Sequence, residues 1–180
     1  MKMLNKKIMM VLCSLALIGN ALIAQDVAKY VGPVSCKLCH NNPAKGEQYN
    51  KWQATAHSTA FATLSGAKAM EYGKNNGIAD PSKEAKCLKC HSTAANVDKN
   101  IVGGLKNEDG VSCESCHGPG SLYKAMNIMK DTAVAKTKGL LVPTEKTCLQ
   151  CHIQEGNPFY KPFDFATFDA KIAHKYPPKK

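Results

Sequence analysis

The chain has 180 residues, with 24 basic against 14 acidic side chains and a formal net charge of +10 at pH 7. This charge would suit a nucleic-acid-binding protein, but every basic residue is lysine, so the bidentate guanidinium fork that reads bases and phosphates is absent from the sequence. We therefore exclude nucleic acid as a partner and interpret the lysines as a solvated surface that docks acidic redox proteins.

The N-terminal segment, residues 1–24, has the pattern of a secretory signal peptide. Lysines precede an apolar run over residues 8–23, which is the order of charged and apolar regions in export signals. Cleavage is expected near Ala24, although Leu22 is larger than the residue usually found at that position, and an uncleaved membrane anchor is the alternative. We expect residues 25–180 to form one domain in the periplasm or at the extracellular face.

The pattern Cys-x-x-Cys-His occurs four times after this segment and uses every cysteine beyond residue 24. Two thiols three positions apart can add to the two vinyl groups of one porphyrin, and the histidine that follows is then held beneath the iron as its proximal ligand. The pattern predicts four covalently bound haem c groups. The attaching thiols are Cys36, Cys39, Cys87, Cys90, Cys113, Cys116, Cys148 and Cys151, and the proximal ligands are His40, His91, His117 and His152.

Other uses of paired cysteines fit this sequence poorly. Structural zinc has no reason to place a histidine directly after every second cysteine, and thiol redox motifs of this type occur singly beside a parallel sheet. A disulfide framework does not explain the histidines either. Haem attachment is the interpretation that accounts for all four repeats.

Hydrophobic periodicity around the motifs predicts a mainly α, loop-rich domain organised around the haems. With 156 residues left after the signal peptide, the chain cannot build a large side-chain core and also enclose four macrocycles. We expect the porphyrins to form much of the apolar interior and folding to depend on their attachment. The first predicted element is a helix over 44–64 with His57 on its buried side, and the second is a helix begun by Asp80 and Pro81 that carries the second motif. A loop follows over 97–110, and then a helix with Leu122, Met126, Met129 and Ala133 on one face. The last two predicted helices are capped by Thr144 and by Asp164.

The axial ligands can be counted directly. Four haem irons have eight axial positions, and the motif histidines take four of them. Only His57 and His174 remain in the sequence as distal ligands, so at most two haems can be bis-histidine within one chain. The other two irons take a different ligand, borrow one from a neighbouring chain, or stay open. The methionine candidates of the mature chain are Met70, Met126 and Met129, for which core packing is the default interpretation.

Several short segments around the motifs carry a family resemblance. They are Tyr30-Val31-Gly32, Trp52-Gln53-Ala54-Thr55-Ala56-His57, Gly110-Val111-Ser112, Gly118-Pro119-Gly120-Ser121, Lys161-Pro162-Phe163-Asp164 and Lys171-Ile172-Ala173-His174. On these segments the chain resembles the tetrahaem cytochromes related to the electron acceptor of hydroxylamine oxidoreductase in nitrifying bacteria. The resemblance implies that His57 and His174 are distal ligands.

One position departs from that family. In similar proteins a further distal histidine follows the Gly-Pro-Gly-Ser stretch, two residues after the serine, and here that position is Tyr123. Tyrosinate can ligate haem iron, so Tyr123 is a candidate ligand or a residue that overhangs a haem. The alternative is a buried aromatic side chain with no iron contact.

The sequence thus predicts an exported tetrahaem cytochrome that transfers electrons between redox proteins, without catalysis of its own. The first alternative is a redox enzyme or ligand binder that takes nitric oxide, nitrite or hydroxylamine at an open iron. The second is a subunit of an extracellular cytochrome filament, in which neighbouring chains supply the missing ligands.

Overall fold

Short helices joined by turns make up the regular structure, with no β-strand among residues 26–174. A computed structural model describes these residues, so the predicted signal peptide over 1–24 lies outside them. The fold class is mainly α, as predicted. The α-helices are α1 Pro33–His40, α2 Gln48–Gln53, α3 Ala67–Asn75, α4 Ala85–His91, α5 Cys113–His117, α6 Met126–Met129, α7 Thr132–Thr137, α8 Glu145–Cys148 and α9 Phe165–Ile172; the 3-10 helices are Pro43–Lys45, Ala62–Ser65, Ala94–Asn96, Asn107–Asp109 and Gly120–Leu122.

The prediction of one helix over residues 44–64 is wrong, because α2 ends at Gln53 and turns follow it. At this break Thr55 Oγ1 donates to the Trp52 carbonyl at 2.7 Å, and Ser58 Oγ donates to the Gln53 carbonyl at 2.8 Å. Hydroxyls that satisfy carbonyls in this way compete with the helical N–H donors. The turns carry the chain through the segment that contains the predicted distal histidine.

The helix of the second motif begins later than the sequence predicts. Glu84 caps α4, and its side chain accepts a hydrogen bond from the Lys86 amide. Asp80 instead closes a preceding turn, where its carboxylate accepts from the Ser82 amide at 3.0 Å and from the Ser82 hydroxyl at 2.6 Å. The second motif is therefore carried by a helix that starts at Ala85.

The helix predicted from Leu122 to Ala133 divides into α6 and α7. Asp131 caps α7 by accepting from the amides of Ala133 at 2.8 Å and Val134 at 3.2 Å. An aspartate with this local acceptor role begins a new helix rather than continuing the previous one.

The helix caps predicted at Thr144 and Asp164 are confirmed, although the helix that begins after Thr144 carries only the first cysteine of the fourth motif. Thr144 caps α8, and its amide donates to Thr147 Oγ1 at 3.1 Å. Asp164 caps α9 by accepting from the Thr167 amide at 2.8 Å. The predicted loop over 97–110 contains one 3-10 helix and no α-helix.

The extended segment around Tyr30, which precedes α1, packs directly against this loop. The Tyr30 amide donates to the Ile101 carbonyl at 2.8 Å, and the Gly104 amide donates to the Tyr30 carbonyl at 3.3 Å. Gly103 has φ +52°, and a Cβ there would lie 1.9 Å from the Tyr30 oxygen. The contact therefore requires glycine at this position.

The buried apolar core built by side chains is small. Among the described residues it consists of Tyr49, Leu64, Leu105, Tyr123 and Ala135. Five residues cannot supply the hydrophobic burial that a domain of this length needs. None of the helices described is both long and apolar enough to cross a membrane.

Candidate haem attachment sites

Each motif is positioned by a short helix. The first three lie on α1, α4 and α5, which end at His40, His91 and His117, while α8 ends at Cys148 and a turn carries the rest of the fourth motif. Residues three apart on a helix share a face, so the two thiols of a motif project together. The histidine that follows directly then lies at the end of that face.

The motifs meet in two pairs. α1 packs against α5, and the thiols of Cys36 and Cys113 are hydrogen-bonded, which lowers the pKa of Cys36 and raises that of Cys113. The Cys151 thiol is in contact with Cys90; burial first, and then Cys90, raise the pKa of Cys151 to about 12. The first motif therefore lies beside the third, and the second beside the fourth.

The third and fourth motifs also lie near each other. Burial and then the nearby Cys148 thiol raise the pKa of Cys116 to about 11. The four motifs thus form a connected series in the spatial order first, third, fourth, second. Thiols whose pKa is raised by burial, such as Cys116 and Cys151, are poorly suited to thiolate chemistry.

Three motif histidines have the tautomer that a metal ligand needs. Each ring presents Nδ1 to a carbonyl oxygen, which can only accept a hydrogen bond, so Nδ1 carries the proton and Nε2 is free to ligate. The contacts are His40 to Gln48 Oε1 at 3.3 Å, His91 to the Ala60 carbonyl at 2.7 Å, and His117 to the Leu141 carbonyl at 3.1 Å.

Two pairs of imidazoles face each other. The ring centroids of His57 and His152 are 6.1 Å apart with an interplanar angle of 74°, and those of His117 and His174 are 6.0 Å apart at 66°. Two imidazoles that ligate one metal ion from opposite sides place their centroids about 6 Å apart, because each metal–nitrogen bond is about 2 Å and the nitrogen lies about 1 Å from its centroid. The spacing of both pairs fits one iron between the rings.

Burial supports the same interpretation of these rings. It lowers the pKa of His57, His117 and His152 below 6.5. A lowered pKa favours the neutral imidazole, which is the form that ligates iron.

A cavity of about 310 Å³ lies between the first and third motifs. Its apolar wall includes Leu141 and Val142, which are 56% and 58% exposed although they line it. Ser112, also in the wall, has a buried hydroxyl without a hydrogen-bond partner among the described residues. These features fit a large apolar group with a polar edge. The thiols and histidines that line the cavity are Cys36, Cys113, Cys116, His40, His57, His117 and His174.

The thiols and imidazoles do not converge in the four-ligand arrangement of a structural zinc site. In the part of the chain that the structure describes, no three histidine, cysteine, aspartate or glutamate side chains converge as metal ligands. Structural zinc requires four convergent ligands. The residues present therefore fit haem rather than zinc.

Comparison with known proteins agrees with this chemistry. The family described as cytochrome c554 and c-prime matches residues 35–118, which contain the first three motifs. The chain is a c-type cytochrome, and it is similar to the cytochrome c554 family. Cytochrome c-554 of Nitrosomonas europaea is 28% identical to this chain over an alignment 186 residues long. The alignment covers 88% of this chain and 74% of the relative. No solved structure shows a significant match.

In this multihaem cytochrome, Tyr123 is held away from ligand chemistry. The side chain is 8% exposed, and its hydroxyl donates to the Gly118 carbonyl at 2.8 Å and to the His117 carbonyl at 3.2 Å. Burial raises its pKa above 10.0, and nearby Cys36 and Glu114 add to this. A neutral, hydrogen-bonded phenol favours the buried aromatic over the tyrosinate ligand.

The methionine candidates differ in position. Met70 and Met126 are 44% and 61% exposed, whereas Met129 lines the cavity between the first and third motifs. Met129 is thus the candidate that lies within the haem-binding region of the cytochrome.

Two residues with clear roles escape sequence reasoning. Gln48 accepts a hydrogen bond from the His40 ring and so orients it. In the sequence, only its place eight residues after that histidine could have indicated this contact. Glu114 is buried inside the third motif, where the intervening residues of a haem motif are usually free to vary. Its carboxylate contacts residues more than 80 positions away, which no local pattern reveals.

Proposed function

We propose that this cytochrome is an exported four-haem electron carrier that passes electrons between redox proteins. Each motif holds one haem through its two thiols and its histidine. His174 supplies the second axial ligand at the third site, and His57 supplies it at the fourth. The facing imidazoles at 6.0 and 6.1 Å carry this proposal.

Haem supplies one-electron chemistry when bound, and the chain supplies the ligands and their surroundings. The Nδ1–H donation by His40, His91 and His117 fixes the orientation of each ring and raises its basicity as a ligand. Apolar walls such as Leu141 exclude water from the cavity. Both effects set the reduction potential at a site.

The connected series of motifs supports a relay. The first and second motifs lie at its two ends, and both carry an exposed lysine between their cysteines, Lys37 and Lys89. The third and fourth motifs have no lysine at these positions. We propose that acidic redox partners dock at the two ends of the series, in the periplasm after removal of residues 1–24.

A second candidate function concerns the two ends of the series. His57 and His174 face the fourth and third motif histidines, and the sequence has no seventh histidine for His40 or His91. An iron without a histidine sixth ligand at these sites would admit nitric oxide, nitrite or hydroxylamine. A ligand from a neighbouring chain in a filament is the remaining alternative.

Electron paramagnetic resonance of the oxidised holoprotein, with haem content measured on the same sample, tests the proposal. We expect four haems per chain and two low-spin bis-histidine signals. H57A and H174A should each convert a different one of these signals to high spin, because each removes one sixth ligand. Fewer than four haems, or unchanged spectra in both variants, would contradict it.

The same experiment separates the alternatives. Y123F should leave the ferric spectrum unchanged, and a change of spin state would restore Tyr123 as a ligand. High-spin signals that become low-spin with nitric oxide, azide or cyanide would favour small-ligand chemistry. Spectra of monomer and assembled protein that differ in spin state would favour the filament.

A further inference from the structure

Glu114 is one of the most deeply buried side chains of the molecule, at 2% exposure. It lies between the two cysteines of the third motif. Its carboxylate accepts four hydrogen bonds from three main-chain amides. They come from Val31 at 2.9 and 3.1 Å, Gly32 at 2.8 Å and Gly120 at 2.7 Å.

These contacts join the first attachment site to the third. Val31 and Gly32 immediately precede α1, and Gly32 is the N-cap of this helix without a side-chain cap of its own. The carboxylate of Glu114 accepts from the amide of the N-cap residue itself, as the glutamate of a capping box does, at the helix end that favours negative charge. The third motif thereby fixes the start of the helix that carries the first.

The backbone is shaped to admit the carboxylate. Gly32 has φ +77°, and a Cβ there would lie 2.8 Å from the Gly104 carbonyl oxygen. A Cβ on Gly120 would lie 3.1 Å from Glu114 Oε1. Side chains at these two positions would disturb the amides that bind the carboxylate.

The partners of the carboxylate are neutral amides, not cations. Each of its hydrogen-bond partners is a donor, which matches the acceptor oxygens of a carboxylate. Its charge also reaches side chains near both sites: burial and then Glu114 raise the pKa of Tyr30, and burial, Cys36 and then Glu114 raise that of Tyr123. A charge excluded from water acts more strongly on its surroundings than a solvated one.

We propose that Glu114 is a positioning residue that fixes the first haem site against the third and lowers the reduction potentials at these two sites through its negative charge. The inference rests on the proposed haem attachment. Ferric iron carries one more positive charge than ferrous iron, so a nearby fixed anion stabilises the ferric state and disfavours uptake of an electron from a redox partner.

The test is a redox titration of the E114Q holoprotein, followed by absorption and electron paramagnetic resonance. Gln keeps the size of the side chain and removes its charge. We expect two of the four potentials to rise while haem content and ferric spin states stay as in the wild type. Potentials that do not move, or four that move equally, would overturn the proposal.

Two control variants separate charge from structure. E145Q removes the same charge from an exposed carboxylate near Cys148, and we expect a smaller change there because water screens it. Ser121 holds the same N-terminal segment without charge, since the Lys29 amide donates to its Oγ at 2.7 Å. S121A should loosen this segment and leave the potentials in place. A shift in S121A equal to that in E114Q would assign the effect to packing alone and refute the charge role.

Hydrogen exchange tests the positioning role independently of the potentials. The amides of Val31, Gly32 and Gly120 should exchange faster in E114Q than in E145Q. Unchanged protection of these amides from exchange would reject the positioning role of Glu114.

If E114Q yields no holoprotein, E114D replaces it. Aspartate keeps the charge on a shorter arm that cannot reach the three amides together, so we expect the two potentials to stay close to those of the wild type while the amides of Val31, Gly32 and Gly120 exchange faster. A rise of the two potentials with the charge retained would assign the effect to packing and reject the charge role, and unchanged exchange would reject the positioning role. The wild-type haem content and spin states report on the proposed function itself, so the two inferences fail separately.

Discussion

At the scale of single residues, Gln48 shows how one amide can serve a metal ligand. Its Nε2 donates to the Lys45 carbonyl, and this fixes Oε1 toward His40 Nδ1. His91 and His117 use main-chain carbonyls for the same purpose. His40 is therefore a ring whose partner can be changed by a side-chain substitution.

We expect Q48L to raise the reduction potential of the first site. Without an acceptor, the His40 ring becomes a less basic ligand and stabilises ferric iron less. Loss of this partly buried hydrogen bond should also lower the free energy of unfolding of the holoprotein by about 0.5–1.5 kcal/mol. Redox titration and denaturant unfolding measure the two effects.

Q53L is the matched control, because Gln53 lies on the same helix with its side chain exposed. It should leave both quantities close to those of the wild type. An unchanged first-site potential in Q48L would show that this hydrogen bond does not tune the ligand.

At the scale of elements, α9 carries the chain to His174, the proposed second ligand at the third site. The helix ends at Ile172, two residues before His174, and the His174 ring is held by a contact between its Nδ1 and the Ile172 carbonyl at 2.9 Å. Phe168 of α9 packs near the His152 ring, with centroids 5.9 Å apart. One short helix thus contacts the third and the fourth sites, and Asp164 determines where it starts.

The cap at Asp164 predicts a pH dependence. Hydrogen bonds from Thr167 hold the pKa of Asp164 below 3.8, so its contribution to stability is fully present above pH 3.8 and is lost as the pH falls through the lowered value. D164N caps without titrating and should remove this part of the acid destabilisation. D164A should lower stability even at neutral pH.

Thermal unfolding of the three holoproteins across this acidic range measures the effect. Wild type and D164N that lose stability in parallel would show that the carboxylate is not the group responsible. Electron paramagnetic resonance of D164A shows whether α9 still places His174 at the third site, because loss of this ligand would remove the low-spin signal of that site.

At the scale of the whole molecule, the protein alone does not provide a sufficient interior. Within residues 26–174, five buried apolar residues form the core, whereas large apolar side chains such as Leu141 and Val142 remain exposed around the cavity. Porphyrins covering these walls would add the missing burial. The stability of the cytochrome is then inseparable from its cofactors, as in small metal-dependent domains.

A variant with all eight motif cysteines replaced by alanine should therefore be unfolded. We expect a far-ultraviolet circular dichroism spectrum without helical minima and no cooperative thermal transition, whereas the holoprotein shows both. A variant that lacks only Cys148 and Cys151 should bind three haems and unfold at an intermediate temperature. A cooperative transition in the eightfold variant would contradict this account.

The features that the sequence could predict are those that depend on residues close together in the chain. The haem motifs, the caps at Thr144 and Asp164 and the mainly α class follow from patterns within a few residues of each other. The long helix over 44–64 failed because hydroxyls such as Thr55 Oγ1 satisfy carbonyls that a helix would use. The facing of His57 with His152 and the contacts of Glu114 depend on residues far apart in the chain, so periodicity carries no signal for them.

The interleaved pairing of the motifs also constrains the order in which the molecule can be assembled. A ribosome makes the chain from the N-terminus, yet the first motif packs beside the third, and the second beside the fourth. Neither pair can close before the third motif has been synthesised, and the His174 ring arrives after all four motifs. A chain that emerges N-terminus first therefore presents its first two sites before either of them has its neighbour, and each pair closes only across the segment between its two motifs.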